Sequence, residues 1–288
     1  MKTTTVLLVI ILALGLTSCD GFRDKPQSST NTMRIVSVSK QLTEMLFALG
    51  VQDKLVGVDL SSTYPPEAAK LPTVGYHRML SAEGITSLNP TIVFHDGNIA
   101  PEAVITQLQK VGIPMKQFPQ TKNIEEAKAL MRDLGSMFHV EAKAEELCNK
   151  LDSDMAKAQE VRKKYTTTPK VLVIHFGRAI NNYFVMGRKG NPSQMIEWAG
   201  GDNAIDAPEG MRPITPELIA SAQPDVILAT DFGFDRLGSA EKIKELPGIS
   251  LTPAAKNNKI FRIEEHDLVY LGPRTGENVL LIADLIHK

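Results

Sequence analysis

One fifteen-residue pattern occurs twice, at Leu80 to Phe94 and again at Ile214 to Leu228. Each copy places a hydroxyl residue second (Ser81, Thr215) and a glutamate two positions on (Glu83, Glu217). A short apolar helical stretch follows, then a proline seven residues after the glutamate (Pro90, Pro224), then an apolar strand. A hydroxyl ahead of a helix accepts a hydrogen bond from an otherwise unpaired N–H of the first turn, and a carboxylate there is favoured by the helix dipole. The pattern predicts a capped helix feeding a buried strand. Its two copies predict two related lobes.

The rest of the chain agrees. Arg34 to Val38, Leu55 to Val58, Thr91 to Phe94 and Met115 to Phe118 are strand-like, with helical spacing at Leu42 to Leu49 and Pro101 to Val111. After Pro169 the alternation resumes at Val171 to Ile174, Pro192 to Ala199 and Val226 to Leu228. Such β–α alternation predicts mostly parallel sheets flanked by helices. Between the halves the pattern is helical only: Ile124 to Phe138, a break at His139-Val140, then Glu141 to Lys164. Ala144, Leu147, Leu151, Met155 and Ala158 keep helical spacing. The expected fold class is therefore α/β, with lobes at 33–138 and 166–288 joined by a rigid helix within 139–165.

The N-terminus is not part of that fold. Met1-Lys2 precedes an apolar run from Val6 to Leu16, too short to cross a bilayer. Leu16-Thr17-Ser18-Cys19 then supplies small residues before a cleavage point, so 1–18 reads as a signal peptide. Residues 19–32 are polar and read as a tether, with a stretched reach of at most about 45 Å from Asp20 to Thr32. The formal net charge of −1 argues against a nucleic-acid partner. Neither a Gly-x-Ser-x-Gly elbow nor a Cys-x-x-Cys, His-Glu-x-x-His or Gly-x-x-x-x-Gly-Lys motif is present. No spacing singles out a catalytic set, and a non-enzymatic protein is expected.

The residues best suited to bind something are in Gly75-Tyr76-His77-Arg78. In an extended loop, positions i and i+2 face the same way. Tyr76 and Arg78 would then share a face, with His77 pointing elsewhere. A nearby cation favours the phenolate, which is the metal-binding form of tyrosine. The alternative is a surface tyrosine stacked on an arginine. His175 follows Val171 to Ile174, a run apolar on both faces, and ligands gather beyond the carboxyl ends of parallel strands. His95, after Thr91 to Phe94, stands in the same kind of place and is the reserve candidate.

The chain resembles the substrate-binding lipoproteins of bacterial ABC importers for haem, siderophores and cobalamin, and most of all their haem-binding branch. The resemblance runs from Arg34-Ile35-Val36-Ser37 to the C-terminus. It is carried by Leu71 to Gly84, Ala199-Gly200-Gly201-Asp202-Asn203-Ala204, Arg212 to Glu217 and Leu271-Gly272-Pro273-Arg274-Thr275. It implies the class III periplasmic binding protein fold and haem as transported ligand, with a ferric siderophore or a corrinoid as the alternative cargo. It implies Tyr76 on the haem iron and Arg78 on a propionate, with His175 as a second iron ligand. Cys19 matches the lipidated cysteine of the bacterial lipobox. Glu83 and Glu217 match the acidic knobs that dock on an ABC permease homodimer with its ATPase. The implied location is the periplasmic side of a bacterial membrane, lipid-anchored to the outer face of the cytoplasmic membrane or the inner face of the outer membrane.

Overall fold

Both copies of the repeated edge are formed in the computed structural model, which describes residues 33–178, 181–207 and 210–288. The expected signal segment 1–18, the expected tether 19–32 and Cys19 lie outside the described residues. The first lobe contains β1 (Ile35–Ser37), α1 (Lys40–Ala48), β2 (Leu55–Val58), α2 (Ala82–Thr86), β3 (Ile92–His95), α3 (Glu102–Lys110) and β4 (Met115–Gln117). Its four strands are parallel, in the order β2-β1-β3-β4. All three residues of β1 are buried, as a strand covered on both faces must be. Ser81 caps α2 by accepting from the Gly84 N–H at 3.0 Å.

Two helices then lead out of this lobe. Asn123 caps α4 (Ile124–Phe138) by accepting from the Glu126 N–H, and His139 ends it with φ +57°. This is the break expected at His139-Val140. The following helix, α5 (Glu141–Arg162), has 22 residues and so runs about 33 Å. Ala144, Leu147, Cys148 and Leu151 pack into the first lobe's core. Ala158 packs into the second, and Met155 touches both. One helix thus carries apolar side chains from one core into the other.

The second lobe contains β5 (Lys170–Gly177), β6 (Asn182–Met186), α6 (Asn191–Trp198), β7 (Asp202–Asn203), β8 (Met211–Pro213), α7 (Pro216–Ala222), β9 (Val226–Thr230), α8 (Asp231–Leu237), α9 (Ala240–Ile243), α10 (Pro253–Lys256), β10 (Ile260–Ile263), α11 (Glu265–Val269) and α12 (Thr275–Ile286). The sheet order is β10-β9-β5-β6-β8, with β7 beside β5. Strands β10, β9 and β5 are parallel, whereas β6 and β8 are antiparallel. The sheet is mixed, and the sequence did not announce its antiparallel half. This changes the setting of His175. It does not follow the strand but lies within β5, paired with Phe184 of β6. The parallel register with β9 ends one residue earlier, at Ile174 and Ala229. His175 therefore still marks the carboxyl edge of the parallel part, while the β5–β6 hairpin projects beyond it.

Helix α1 is buried in an unexpected way. Lys40, Gln41 and Glu44, all polar, are at most 5% exposed. Each reaches the other lobe. Lys40 Nζ is 2.6 Å from Glu265 Oε2. Gln41 Nε2 donates to the Leu271 carbonyl at 2.8 Å and to Thr121 Oγ1. Glu44 pairs with His266 and, at 2.6 Å, with Arg274, which also binds Asp267 at 2.7 Å.

Candidate functional site

Tyr76 stands on a loop held from both sides. The Leu60 N–H donates to the Gly75 carbonyl at 2.8 Å, and the Ala100 N–H donates to the His77 carbonyl at 2.9 Å. The Met79 N–H closes a turn onto the Tyr76 carbonyl at 2.7 Å. Gly75 has φ +94°, a backbone region that residues with a Cβ avoid, and this starts the turn. The i, i+2 expectation holds only in part. Tyr76, His77 and Arg78 all reach an open crevice, but His77 is mostly buried, its ring turned toward Asp59. His77 Nδ1 lies 3.1 Å from Asp59 Oδ2. Burial raises the Asp59 pKa, but hydrogen bonds from His77, Ser61 and Ser62 outweigh this and hold it below its ordinary value. As a carboxylate, Asp59 can only accept, so Nδ1 donates. The His77 ring in turn supports the Tyr76 phenol, with centroids 4.3 Å apart.

The crevice has about 940 Å³ of empty space including its mouth. Lys40, Ser61, Tyr76, His77, Arg78 and Asn98 line it from the first lobe; His175, Phe176, Arg178, Met186, Lys189 and Met211 line it from the second. Glu265 and Tyr270 complete the lining. Among the described residues Glu265 is the one carboxylate there, and Lys40 already pairs with it. Arg78, Arg178 and Lys189 have no carboxylate partner among the described residues. The chain is nearly neutral overall, yet this cleft is cationic, and a cationic cleft concentrates anions.

His175 Nδ1 sits 3.2 Å from Thr230 Oγ1 and 3.9 Å from Glu265 Oε1. Burial pushes its pKa below the ordinary histidine value, with Lys40 and Arg178 adding and Glu265 opposing. The imidazole is therefore neutral near pH 7, the form that ligates metals. Burial, then Glu265, raises the Tyr76 pKa, while Arg78, Arg178 and Lys40 pull it down without prevailing. The unliganded phenol is protonated, and its oxygen makes no hydrogen bond among the described residues. A ferric ion can displace that proton.

The sequence candidates are thus sorted by position. Tyr76, Arg78 and His175 share one crevice. His95 does not line it, because β3 extends through His95 and buries it, with Nδ1 accepting from the Gly97 N–H at 3.2 Å. Glu83 and Glu217 are exposed in the first turns of α2 and α7. Sequence reasoning missed Lys40, Arg178, Lys189, Glu265 and Tyr270. A weak signal existed for Arg178, three residues beyond His175. The Lys40–Glu265 contact spans 225 residues and has no local signature. Among the described residues no group of three or more His, Cys, Asp or Glu side chains could hold a bare metal ion.

Known proteins resemble this arrangement. The periplasmic heme-binding protein RhuT from Roseiflexus sp. RS-1, in apo form, superposes with a TM-score of 0.82 at 34% identity, over 89% of this chain and 98% of that one. The periplasmic heme-binding protein BhuT, in complex with two hemes, gives a TM-score of 0.77 at 28% identity, over 88% and 98%. An uncharacterized ABC transporter substrate-binding lipoprotein, YvrC of Bacillus subtilis (strain 168), is 27% identical over 256 residues, 88% of this chain and 80% of the relative. A vitamin B12-binding protein of Vibrio parahaemolyticus is 24% identical over 87% of this chain and 88% of its own length. The family described as periplasmic binding protein matches residues 35–266. With two helix-flanked sheets, a spanning helix and a crevice between the lobes, the chain belongs to the periplasmic binding protein family.

Proposed function

We propose that this protein binds haem between its lobes and hands it to an ABC permease for import, without chemistry of its own. One observation carries the reading: a half-buried phenol with no hydrogen-bond partner among the described residues lines an open cationic crevice. Tyrosinate is an established haem-iron ligand, and planar guanidinium groups suit carboxylates. In this reading Tyr76 binds the iron, Arg78 takes a propionate and His175 approaches the iron as the second ligand. The lobes divide at 33–138 and 166–288 about the linking segment 139–165. Cys19 carries lipid after loss of residues 1–18, and the tether 19–32 holds the protein on the periplasmic side of a membrane. Glu83 and Glu217 each meet one subunit of a permease homodimer with its ATPase.

The relatives named for vitamin B12 make a corrinoid the second reading, with a ferric siderophore beside it. The uncompensated cations favour haem over a corrinoid, whose side arms are mostly neutral amides. Absorbance titration with haemin separates these. Haemin is expected to produce a shifted Soret band, and Tyr76→Ala to weaken binding at least tenfold while Tyr64→Ala, outside the crevice, leaves it unchanged. A protein silent to haemin whose melting temperature rises with cobalamin or a ferric siderophore would replace haem with that cargo.

A further inference from the structure

We propose that Arg178 is a second carboxylate clamp, so that the crevice reads two carboxylates of its cargo, one from each lobe. The proposal rests on the haem reading and adds how the second lobe recognises the ligand.

Arg178 follows the last residue of β5, where the hairpin projects past the parallel sheet. Its guanidinium carbon lies 3.8 Å from the centre of the Phe232 ring. Phe232 is 5.7 Å from Phe176, whose ring meets the edge of Tyr183 at 4.8 Å and the Arg236 guanidinium at 4.9 Å. The Tyr183 hydroxyl donates to the Gly233 carbonyl at 2.8 Å, tying β6 to α8 and fixing the stack. Gly233 allows this closeness: a Cβ there would stand 2.9 Å from that of Phe176. Stacking engages the face of the guanidinium and leaves the N–H edge free.

Three other arginines of this lobe differ. Arg188 binds Asp202 through both terminal nitrogens, at 2.6 and 3.0 Å. Arg262 binds Asp235 in the same forked way, at 2.7 and 2.8 Å. Arg274 is engaged by Glu44 and Asp267. Among the described residues no carboxylate engages Arg178, although it lines the crevice. It is a guanidinium pre-oriented on an aromatic shelf with no partner for its fork among the described residues, in the crevice that Arg78 lines from the other lobe. A forked donor of this kind matches a carboxylate in two parallel hydrogen bonds. The ligand class is a planar macrocycle bearing two free carboxylates.

The test compares haemin with its dimethyl ester, which keeps the iron and ring and loses both negative charges. Wild type is expected to bind haemin about tenfold or more tighter than the ester. Arg178→Gln is expected to weaken haemin about tenfold and leave the ester unchanged. Arg178→Lys is expected to recover only part, since it restores charge without the fork. Phe232→Leu is expected to weaken haemin a few-fold, again sparing the ester, because it frees the guanidinium without removing it. If haemin binds and Arg178→Gln binds it as tightly as wild type, or loses haemin and ester equally, the clamp is wrong and the haem reading stands. If wild type binds neither compound, the haem reading falls and the clamp with it.

Discussion

Tyr76 and Tyr270 are two phenols of one crevice, and their neighbours set them apart. Burial pushes Tyr270 well above the ordinary tyrosine value, and Glu265, Asp96 and Asp59 push it further. Burial also raises Tyr76, but Arg78, Arg178 and Lys40 oppose the rise. In the proposed haem reading, a ferric centre would deprotonate Tyr76 at lower cost than Tyr270. The same comparison favours His175 over His95. Burial lowers both imidazoles, yet only His175 opens on the crevice. With haem bound, His175→Ala is expected to convert a six-coordinate ferric spectrum to a five-coordinate one. An unchanged spectrum would leave tyrosinate as the sole protein ligand.

At the scale of elements, α1 does more than cover a sheet. Its first turns hold Lys40, Gln41 and Glu44 in contact with the second lobe, so the lobes are joined at α1 as well as along α5. A buried carboxylate shared by an imidazole and a guanidinium is costly to disrupt: Glu44→Ala takes away the partner of His266 and one of the two carboxylates on Arg274 and is expected to cost about 3 kcal/mol, read from the urea midpoint. The pH dependence follows from Glu44 itself. Burial raises its pKa, but His266 and Arg274 together hold it below the ordinary value of 4.5. The stabilisation is complete above that ordinary value and is lost as pH falls through the depressed one. Glu44→Gln is therefore expected to remove part of the acid limb of the stability profile below pH 4.5. A variant with the wild-type acid limb would show that the pair contributes nothing to folding.

Over the whole molecule, the repeated edge places one exposed glutamate on each lobe, in the first turn of α2 and of α7. A helix dipole stabilises such a carboxylate by about 0.3–1 kcal/mol, a sufficient reason for its presence in one helix. Two such residues at matching positions of related lobes also suit a two-fold partner, since charge pairs steer encounter and fix register. The double variant Glu83→Ala/Glu217→Ala is expected to bind haemin like wild type and to lose uptake and salt-sensitive binding to the permease. Transport at the wild-type rate in that variant would reduce both residues to helix-stabilising charges.

Local chemistry made much of this protein legible. Ser81 and Thr215 cap their helices because a hydroxyl meets an unpaired N–H wherever the chain turns into a helix, and the spacing of Ala144 to Ala158 specifies a helix in any context. Gly75-Tyr76-His77-Arg78 was readable in part: a glycine turn marks where side chains are presented, but the strict alternation failed, since His77 reaches the crevice beside Tyr76 and Arg78. The tertiary structure decided the rest. It extended β5 through His175, because β6 pairs with it only after the chain reverses. It buried His95 by carrying β3 through it. It joined Lys40 to Glu265 and Glu44 to Arg274, partners more than two hundred residues apart. It also laid Arg178 on Phe232 and so left its charge open to the crevice. Caps and periodicities act within a few residues and survive in the sequence as spacing. A charge is engaged or free according to which distant group the packed lobes bring beside it.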